Sequence, residues 1–318
     1  MSTPRTSAAR SAFTAPLHCQ LSWQYEQENS QLARLYELAK SGCWNASTDI
    51  PWTPWSRQRE FPCSRNSNPL CGFAPYEALP EEEQRALSWW QHGLEMSEIL
   101  HGEQAALQIS AQLVQMLPDM QAKLLCSAQV YDEARHVEFF ARYLRGTVGA
   151  IHLPSKALLG LITMALQEPA WERKLLICQV LIESLALAKL QELRRHCRAP
   201  ALRHAVDYIL RDEARHVRFG TEYLRRHIST MEQSVRDECS LQLLDATLAL
   251  AGALNIYTRI AQRQGWDQAA MRRHLREYRL RHPELNRNRF RQLALNMQAV
   301  GLLTPACKAQ FDAMNLLG

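Results

Sequence analysis

Asp132-Glu133-Ala134-Arg135-His136-Val137 recurs letter for letter as Asp212-Glu213-Ala214-Arg215-His216-Val217. On a helix, residues three apart lie on one face, one turn above the other. Each copy therefore presents a carboxylate and an imidazole side by side, a two-donor claw. Thirty residues before each claw glutamate stands another glutamate among apolar or small residues: Glu103 before Glu133, and Glu183 before Glu213. The two copies keep an offset of 80 at Glu103/Glu183, Glu133/Glu213 and His136/His216. A single Glu-x-x-His is common on solvated helix faces. Two identical hexapeptides, each with an upstream glutamate at the same distance, point to a duplication that gathers four glutamates and two histidines as metal ligands.

Outward from the claws, apolar spacing and breakers predict an all-α chain. Residues 21–42 carry Leu21, Tyr25, Leu32, Leu35, Tyr36 and Ala39 in helical register, ending near Gly42. The stretch from Cys43 to Trp55 holds three tryptophans and two prolines and reads as an extended strap, its tryptophans plugging the core. Residues 56–80 read as an irregular loop. Glu81, Glu82 and Glu83 then place acid in the first turn of a helix reaching about 116. Glu103 sits on its inner face beside Ile99, Leu100, Ala106 and Leu107, whereas Glu95 and Glu98 fit a solvated or interface face. The first claw helix spans about 119–145 and stops at Gly146. A crossover over 147–170 holds one short helix. Long helices over about 171–197 and 201–228 carry Glu183 and the second claw. Helices over 232–264 and 266–282 and a basic tail complete the chain. The arginines at 272, 273, 276, 279 and 281 read as a solvated face, with a docking surface for a phosphate-bearing substrate or carrier as the sharper alternative.

Composition narrows the class. A chain of 318 residues, 47% hydrophobic and 22% charged, can bury a large core. Its net charge of +5 falls short of a nucleic-acid-binding signature. Nine scattered cysteines show no CxxC or zinc spacing, and they read as reduced thiols of a cytoplasmic protein. No apolar run approaches the roughly 20 residues needed to span a bilayer. Residues 1–20 read as a disordered leader, Arg5 and Arg10 leaving a transit peptide as the alternative; residues 21–318 form one domain, with a core bundle over about 81–228 and flanking helices over 229–318.

The donor set fixes the chemistry. Four ionised glutamates offset the charge of two divalent ions in an apolar bundle, and two neutral imidazoles add none. Hard oxygen donors suit iron, with manganese as the alternative. A ligand histidine donates its other N–H to a carboxylate behind it. Asp132 and Asp212, each directly before a claw glutamate, are the candidates, the alternative being surface salt bridges to Arg135 and Arg215.

These residues resemble the ferritin-like di-iron carboxylate superfamily, across about residues 85–228. Its catalytic branch holds ribonucleotide reductase small subunits, multicomponent hydroxylases, acyl-carrier desaturases and p-aminobenzoate N-oxygenases. The stretch Trp44-Asn45-Ala46-Ser47-Thr48-Asp49-Ile50 is similar to the leader of N-oxygenase-like members. The resemblance implies a four-helix bundle with a crossover connection and additional flanking helices. It also implies a di-iron oxygenase that uses dioxygen on a small organic substrate by hydroxylation, amine oxidation or desaturation. Two positions depart from relatives. N-oxygenases carry a third histidine ligand one turn before the last claw glutamate, where this chain has Ile209; His204 lies on another face. Reductase small subunits carry a radical-forming tyrosine seven residues after the first claw glutamate, where this chain has Phe140.

A six-ligand site with an open position toward Val206 and Leu210 is therefore expected. Ile209, Phe140, Leu107, Gln179 and Val206 are the candidates for an apolar substrate pocket. The expected partners are a small-molecule substrate, free or carrier-bound, an external electron donor such as a reductase or ferredoxin, and a second copy of the chain in a homodimer. Neither nucleic acid nor membrane is expected. Trp89, Trp90 and Met96 are the candidates for the dimer flank. The competing readings are a ferritin-like iron oxidiser, for which the chain is long, and a radical-generating reductase-type subunit, against which Phe140 argues.

Overall fold

The computed structural model describes residues 19–25, 29–253 and 256–313. Residues 1–18, most of the expected leader, lie outside the described residues. The two claw helices, α4 (Met120–Tyr143) and α8 (Pro200–Ile228), pack against each other at the centre. Each is paired with the helix bearing its upstream glutamate. α3 (Glu81–Met116) packs on α4, and α7 (Glu183–His196) packs on α8. The crossover between the pairs contains α5 (Lys156–Gln167), and α6 (Trp171–Leu175) begins the helix that continues into α7. This is the expected ferritin-like bundle. Among the described residues the only β pairing is an isolated antiparallel bridge between Cys63 and Cys197, and no helix is long and apolar enough to cross a membrane.

Local chemistry sets the ends. Asp119 accepts from the Ala122 N–H and starts α4; Ser155 does the same for α5 through Leu158. Pro200, expected only to close the preceding helix, opens α8 at its first turn, where a missing N–H costs nothing. The expected helix over 21–42 begins only at Ser30 (α1, Ser30–Ser41), because the Asn29 side chain accepts from the N–H groups of Gln31 and Leu32. Leu21 and Tyr25 lie outside it, exposed. The first claw helix does not stop at Gly146. It continues through a π-helical turn, Leu144–Val148, to Gly149, whose φ of 88° ends it.

Two departures matter more for the site. The helix expected over 171–197 is helical throughout but widens into a π-helical segment, Leu176–Ile182, immediately before Glu183. A Cβ on Gly220 would lie 2.2 Å from the Gln179 Cβ, so only glycine lets α8 approach this segment so closely. The basic tail is also helical. Beyond α9 (Gln233–Ala253), α10 (Ile256–Gln264) and α11 (Gln268–Arg281) come α12 (Pro283–Val300) and α13 (Pro305–Ala313). α12 packs on α7 and α8, burying Phe290, Leu293, Ala294 and Met297 in the main core. Two short helical turns, α2 (Ala74–Glu77) and Arg65–Ser67, lie in the loop expected over 56–80.

The proposed dimer flank is interior. Met96 is fully buried, Trp89 donates to the Glu60 carbonyl at 2.7 Å, and the Arg263 guanidinium of α10 covers the Trp90 ring.

Candidate metal centre

Glu103, Glu133, His136, Glu183, Glu213 and His216 converge, each at most 5% exposed. Their donor atoms form two overlapping groups, each within 4.8 Å: Glu103, Glu133, His136 and Glu213; and Glu133, Glu183, Glu213 and His216. Glu133 and Glu213 belong to both, and their oxygens divide between the groups. Glu133 Oε2 lies 3.2 Å from His136 Nδ1 and Oε1 lies 3.3 Å from His216 Nδ1. Glu213 mirrors it, with Oε1 3.3 Å from His136 Nδ1 and Oε2 3.3 Å from His216 Nδ1. Each of these two carboxylates therefore presents one oxygen to either donor group. Glu103 faces only His136, at 3.2 Å, and Glu183 faces His216, at 3.8 Å.

The protein atoms leave this set unsatisfied, as a cation site requires. Glu103 Oε1 and Glu213 Oε1 are buried and accept no hydrogen bond, which would be costly unless an ion met them. Protons take up part of the charge. Burial and the neighbouring carboxylates push Glu103 up to about 8 and Glu183 well above the usual range. Burial opposes the charged form of His216, yet the hydrogen bonds it donates to Asp132 and Glu213, with the charge of nearby carboxylates, carry it up to about 10. Four carboxylates, two imidazoles and open oxygens fit a pair of hard divalent ions.

Behind the histidines the aspartates are crossed. His136 Nε2 meets Asp212 Oδ2 at 3.2 Å, and His216 Nε2 meets Asp132 Oδ2 at 3.0 Å, so each claw histidine is held by the other claw's aspartate. In the neutral form of each ring, the form that binds a metal ion, an Nε2–H donated to aspartate leaves the Nδ1 lone pair facing the glutamates. Arg135 and Arg215 each pair with both aspartates, Arg215 Nη2 at 2.6 Å from Asp132 and 2.8 Å from Asp212. The two sequence readings of Asp132 and Asp212 thus coexist, except that the ion pairs are buried. Burial works against ionised Asp212, but hydrogen bonds from His136 and Trp44 and the charges around it hold its carboxyl well below the usual range.

Two contributors were missing from the sequence reading. Trp44, expected as a core plug, is one, but its Nε1–H also donates to Asp212 Oδ2 at 2.8 Å and its ring stacks near His136. Gln129, one turn before Glu133, donates to Glu133 Oε1 at 3.1 Å and Glu183 Oε1 at 2.8 Å, and receives a bond from Gln179. The offset of 80 could have found it, because Gln129 stands where the second copy has Ile209.

A cavity of about 510 Å³ reaches the site from one side. One face of α3 lines it at Ser88, Gln91, His92, Glu95, Ile99, Gly102, Glu103 and Ala106; α7 faces it with Glu183, Ala186, Lys189, Leu190, Leu193 and His196. Glu103 and Glu183 are therefore its inner end. Glu95, expected on a solvated or interface face, is partly buried on the cavity wall. It pairs with Lys189 at 2.9 Å and accepts from Gln91 at 3.0 Å. Glu98 also lines the cavity, and it holds the Ser155 N–H at 2.6 Å. Of the five pocket candidates none lines this cavity. Ile209, Phe140, Val206 and Gln179 are fully buried and Leu107 is half-buried.

The profile of the family described as P-aminobenzoate N-oxygenase AurF matches residues 25–300. The chain belongs to the AurF family. Membership makes it an oxidoreductase of the oxygenase class, as the resemblance implied. The position where the resemblance called for a third histidine is Ile209, fully buried in one core cluster with Ala205, Val206, Phe139 and Phe140. Among solved structures it is similar to R2-like ligand-binding oxidases. One point variant with an aerobically reconstituted Mn/Fe cofactor is 20% identical, with TM-score 0.50 over 86% of this chain and 94% of that one. A second, with an anaerobically reconstituted Mn/Fe cofactor, is 19% identical, with TM-score 0.54 over 84% and 94%. A third, with an Fe/Fe cofactor, is 20% identical, with TM-score 0.50 over 86% and 93%. At these identities the likeness is one of fold. No curated protein matches the chain.

Proposed function

We propose that Glu103, Glu133, His136, Glu183, Glu213 and His216 hold two metal ions, iron or an iron–manganese pair, and that the chain uses dioxygen to oxidise a small organic substrate bound in the cavity between α3 and α7. The observation that carries this reading is the division of Glu133 and Glu213 oxygens between two buried donor groups. Bound in reduced form, such a pair supplies the electrons and open coordination that dioxygen requires. The chain's own groups do the rest. Asp212 and Asp132 keep the Nε2 protons of His136 and His216, fixing both rings. Gln129 orients Glu133 and Glu183. Ile209 and Val206 make an apolar wall that excludes water.

The cavity describes the substrate. Glu95 lies eight residues from Glu103 on α3, about 12 Å along the helix, and Lys189 six residues from Glu183, about 9 Å. An elongated substrate would set its reacting end against Glu103 and Glu183 and its polar end against Gln91, Glu95 and Lys189. Arg65 and Arg279 line the same cavity, and α11 exposes Arg272, Arg273 and Arg276 nearby. That basic face supports a carrier-borne substrate with an anionic carrier. An oxygenation consumes two electrons beyond those of the substrate, so an external donor, a reductase or ferredoxin, belongs to the proposal. Leu124 and Tyr131, seven residues apart on α4 and both exposed, mark where a second copy would sit in a homodimer. The test is single-turnover product analysis with reduced, metal-loaded protein and dioxygen against a panel of elongated aliphatic amines, acyl chains and aryl-amines. Oxygen uptake coupled to an oxidised organic product supports the reading; mineralisation of added iron with no organic product overturns it.

A further inference from the structure

The bridge between Cys63 and Cys197 has a geometry that its isolation from any sheet makes conspicuous. Ser64 N–H donates to the His196 carbonyl at 2.8 Å, and Arg198 N–H donates to the Pro62 carbonyl at 2.9 Å. These two bonds flank the cysteines, which makes them a directly opposed, non-hydrogen-bonded antiparallel pair. In such a pair the Cα atoms stand about 4.5 Å apart with side chains on one side, inside the 4.4–6.8 Å window in which a disulfide closes without backbone movement. Both cysteines are free thiols. Cys63 lines the cavity together with Pro62, Ser64 and His196, at the end of α7 farthest from Glu183, and buried Cys197 lies behind it across the bridge.

We propose that Cys63 and Cys197 are a redox-active dithiol, closed to a disulfide by peroxide entering the cavity and reopened by a dithiol reductant. The thiols are unequal. Hydrogen bonding to Cys63 lowers the Cys197 thiol against the opposing effect of burial, helped by the Ala199 N–H, while the same bond and burial raise Cys63. Cys197 is therefore the attacking sulfur and Cys63 the resolving one. Cys197 thiolate attacks one oxygen of hydrogen peroxide, the O–O bond breaks, and the departing hydroxide leaves as water, giving a sulfenic acid. Cys63 then gives up its proton and attacks the Cys197 sulfur, and the sulfenic oxygen departs as a second water. Two thiols and one peroxide become one disulfide and two waters, two electrons passing from sulfur to oxygen. The closed bridge ties the 61–69 segment to the C-terminal end of α7 and closes a chain loop of well over a hundred residues. Cross-links that long constrain the unfolded chain most.

The experiment treats the full-length, metal-free protein with substoichiometric hydrogen peroxide, digests it under thiol-blocking conditions and maps cross-linked peptides by mass spectrometry. A Cys63–Cys197 linked peptide that dithiothreitol removes is expected, with a higher Tm for the oxidised than the reduced protein. Cys71→Ser should leave the link intact. Cys63→Ser and Cys197→Ser, near-isosteric changes, should abolish both the link and the Tm difference. Recovery of Cys63 mainly linked to Cys71 or Cys43, oxidation of Cys63 and Cys197 to sulfinic acids without a link, or a link formed no faster than in urea-unfolded protein overturns the proposal. Each outcome is independent of metal binding and turnover, so it stands or falls apart from the oxygenase reading.

Discussion

Replacing Asp212 by asparagine probes the crossed arrangement behind the histidines. The Asp212 carboxylate accepts from Trp44 at 2.8 Å, His136 at 3.2 Å, Arg135 at 3.3 Å and Arg215 at 2.8 Å. Asparagine keeps the shape but removes one of two buried negative charges facing two arginines, and sets an amide N–H₂ against N–H donors. Breaking a buried pair on one side costs about 3–5 kcal/mol. The lower end applies here, about 3 kcal/mol, because Asp132 still engages both guanidiniums. Loss of the carboxylate behind a ligand histidine typically weakens metal binding about 10–100-fold. Because the pairing is crossed, that loss should fall on the group containing His136 and Glu103. Asp132→Asn should weaken the group containing His216 and Glu183. Trp44→Phe removes one hydrogen bond to a charged acceptor, an effect of about 1.5–3 kcal/mol, and should reproduce part of the Asp212→Asn phenotype. Anaerobic competition titration with a chelator resolves the two affinities, using Glu103→Ala and Glu183→Ala as references; thermal denaturation of metal-free protein reads the fold separately. If Asp212→Asn affected the His216 group as much as the His136 group, or left both binding and Tm unchanged, the crossed pairing would have no functional meaning.

Three other perturbations follow from the same contacts. Gly220→Ala should lower stability by about 1–3 kcal/mol through overpacking, since the new methyl would meet Gln179 at 2.2 Å; an unchanged Tm would show that the π-helical segment yields freely. Lys189→Met should raise KM more than it lowers kcat, because Lys189 faces the outer cavity rather than the donor groups; a loss confined to kcat would contradict the proposed substrate orientation. Ile209 predicts chemistry wider than aryl-amine oxidation, read by product analysis over aliphatic and aromatic substrates. Conversion of aryl-amines alone to nitro products would show that the missing histidine does not alter the reaction.

The ligand helices were legible because their signals are local and doubled. The acid-rich start at Glu81 and Pro118 just beyond Met116 bounded α3, and two copies of one hexapeptide, each with a glutamate thirty residues upstream, placed six converging donors. The crossing of Asp132 and Asp212 was not legible, since both have identical neighbours and only the packing of α4 on α8 decides which histidine each one meets. Trp44 finds Asp212 across 168 residues with no spacing to announce it. The polar face of α3 at Gln91, His92 and Glu95 resembles a solvated surface in one dimension; it lines a cavity only because α7 lies opposite. Phe290, Leu293, Ala294 and Met297 do repeat at helical spacing, but Arg287, Arg289 and Arg291 among them suggested a solvated tail.

Metal stoichiometry tests the central claim most directly. Protein loaded anaerobically with ferrous iron, desalted and measured by elemental analysis should hold about two ions per chain, as such a carboxylate–histidine set does. Glu133→Ala, which removes a ligand from both donor groups, should lose nearly all of it, and Glu103→Ala should keep about one. One ion or none in the unsubstituted protein, or full loading in Glu133→Ala, would contradict the account.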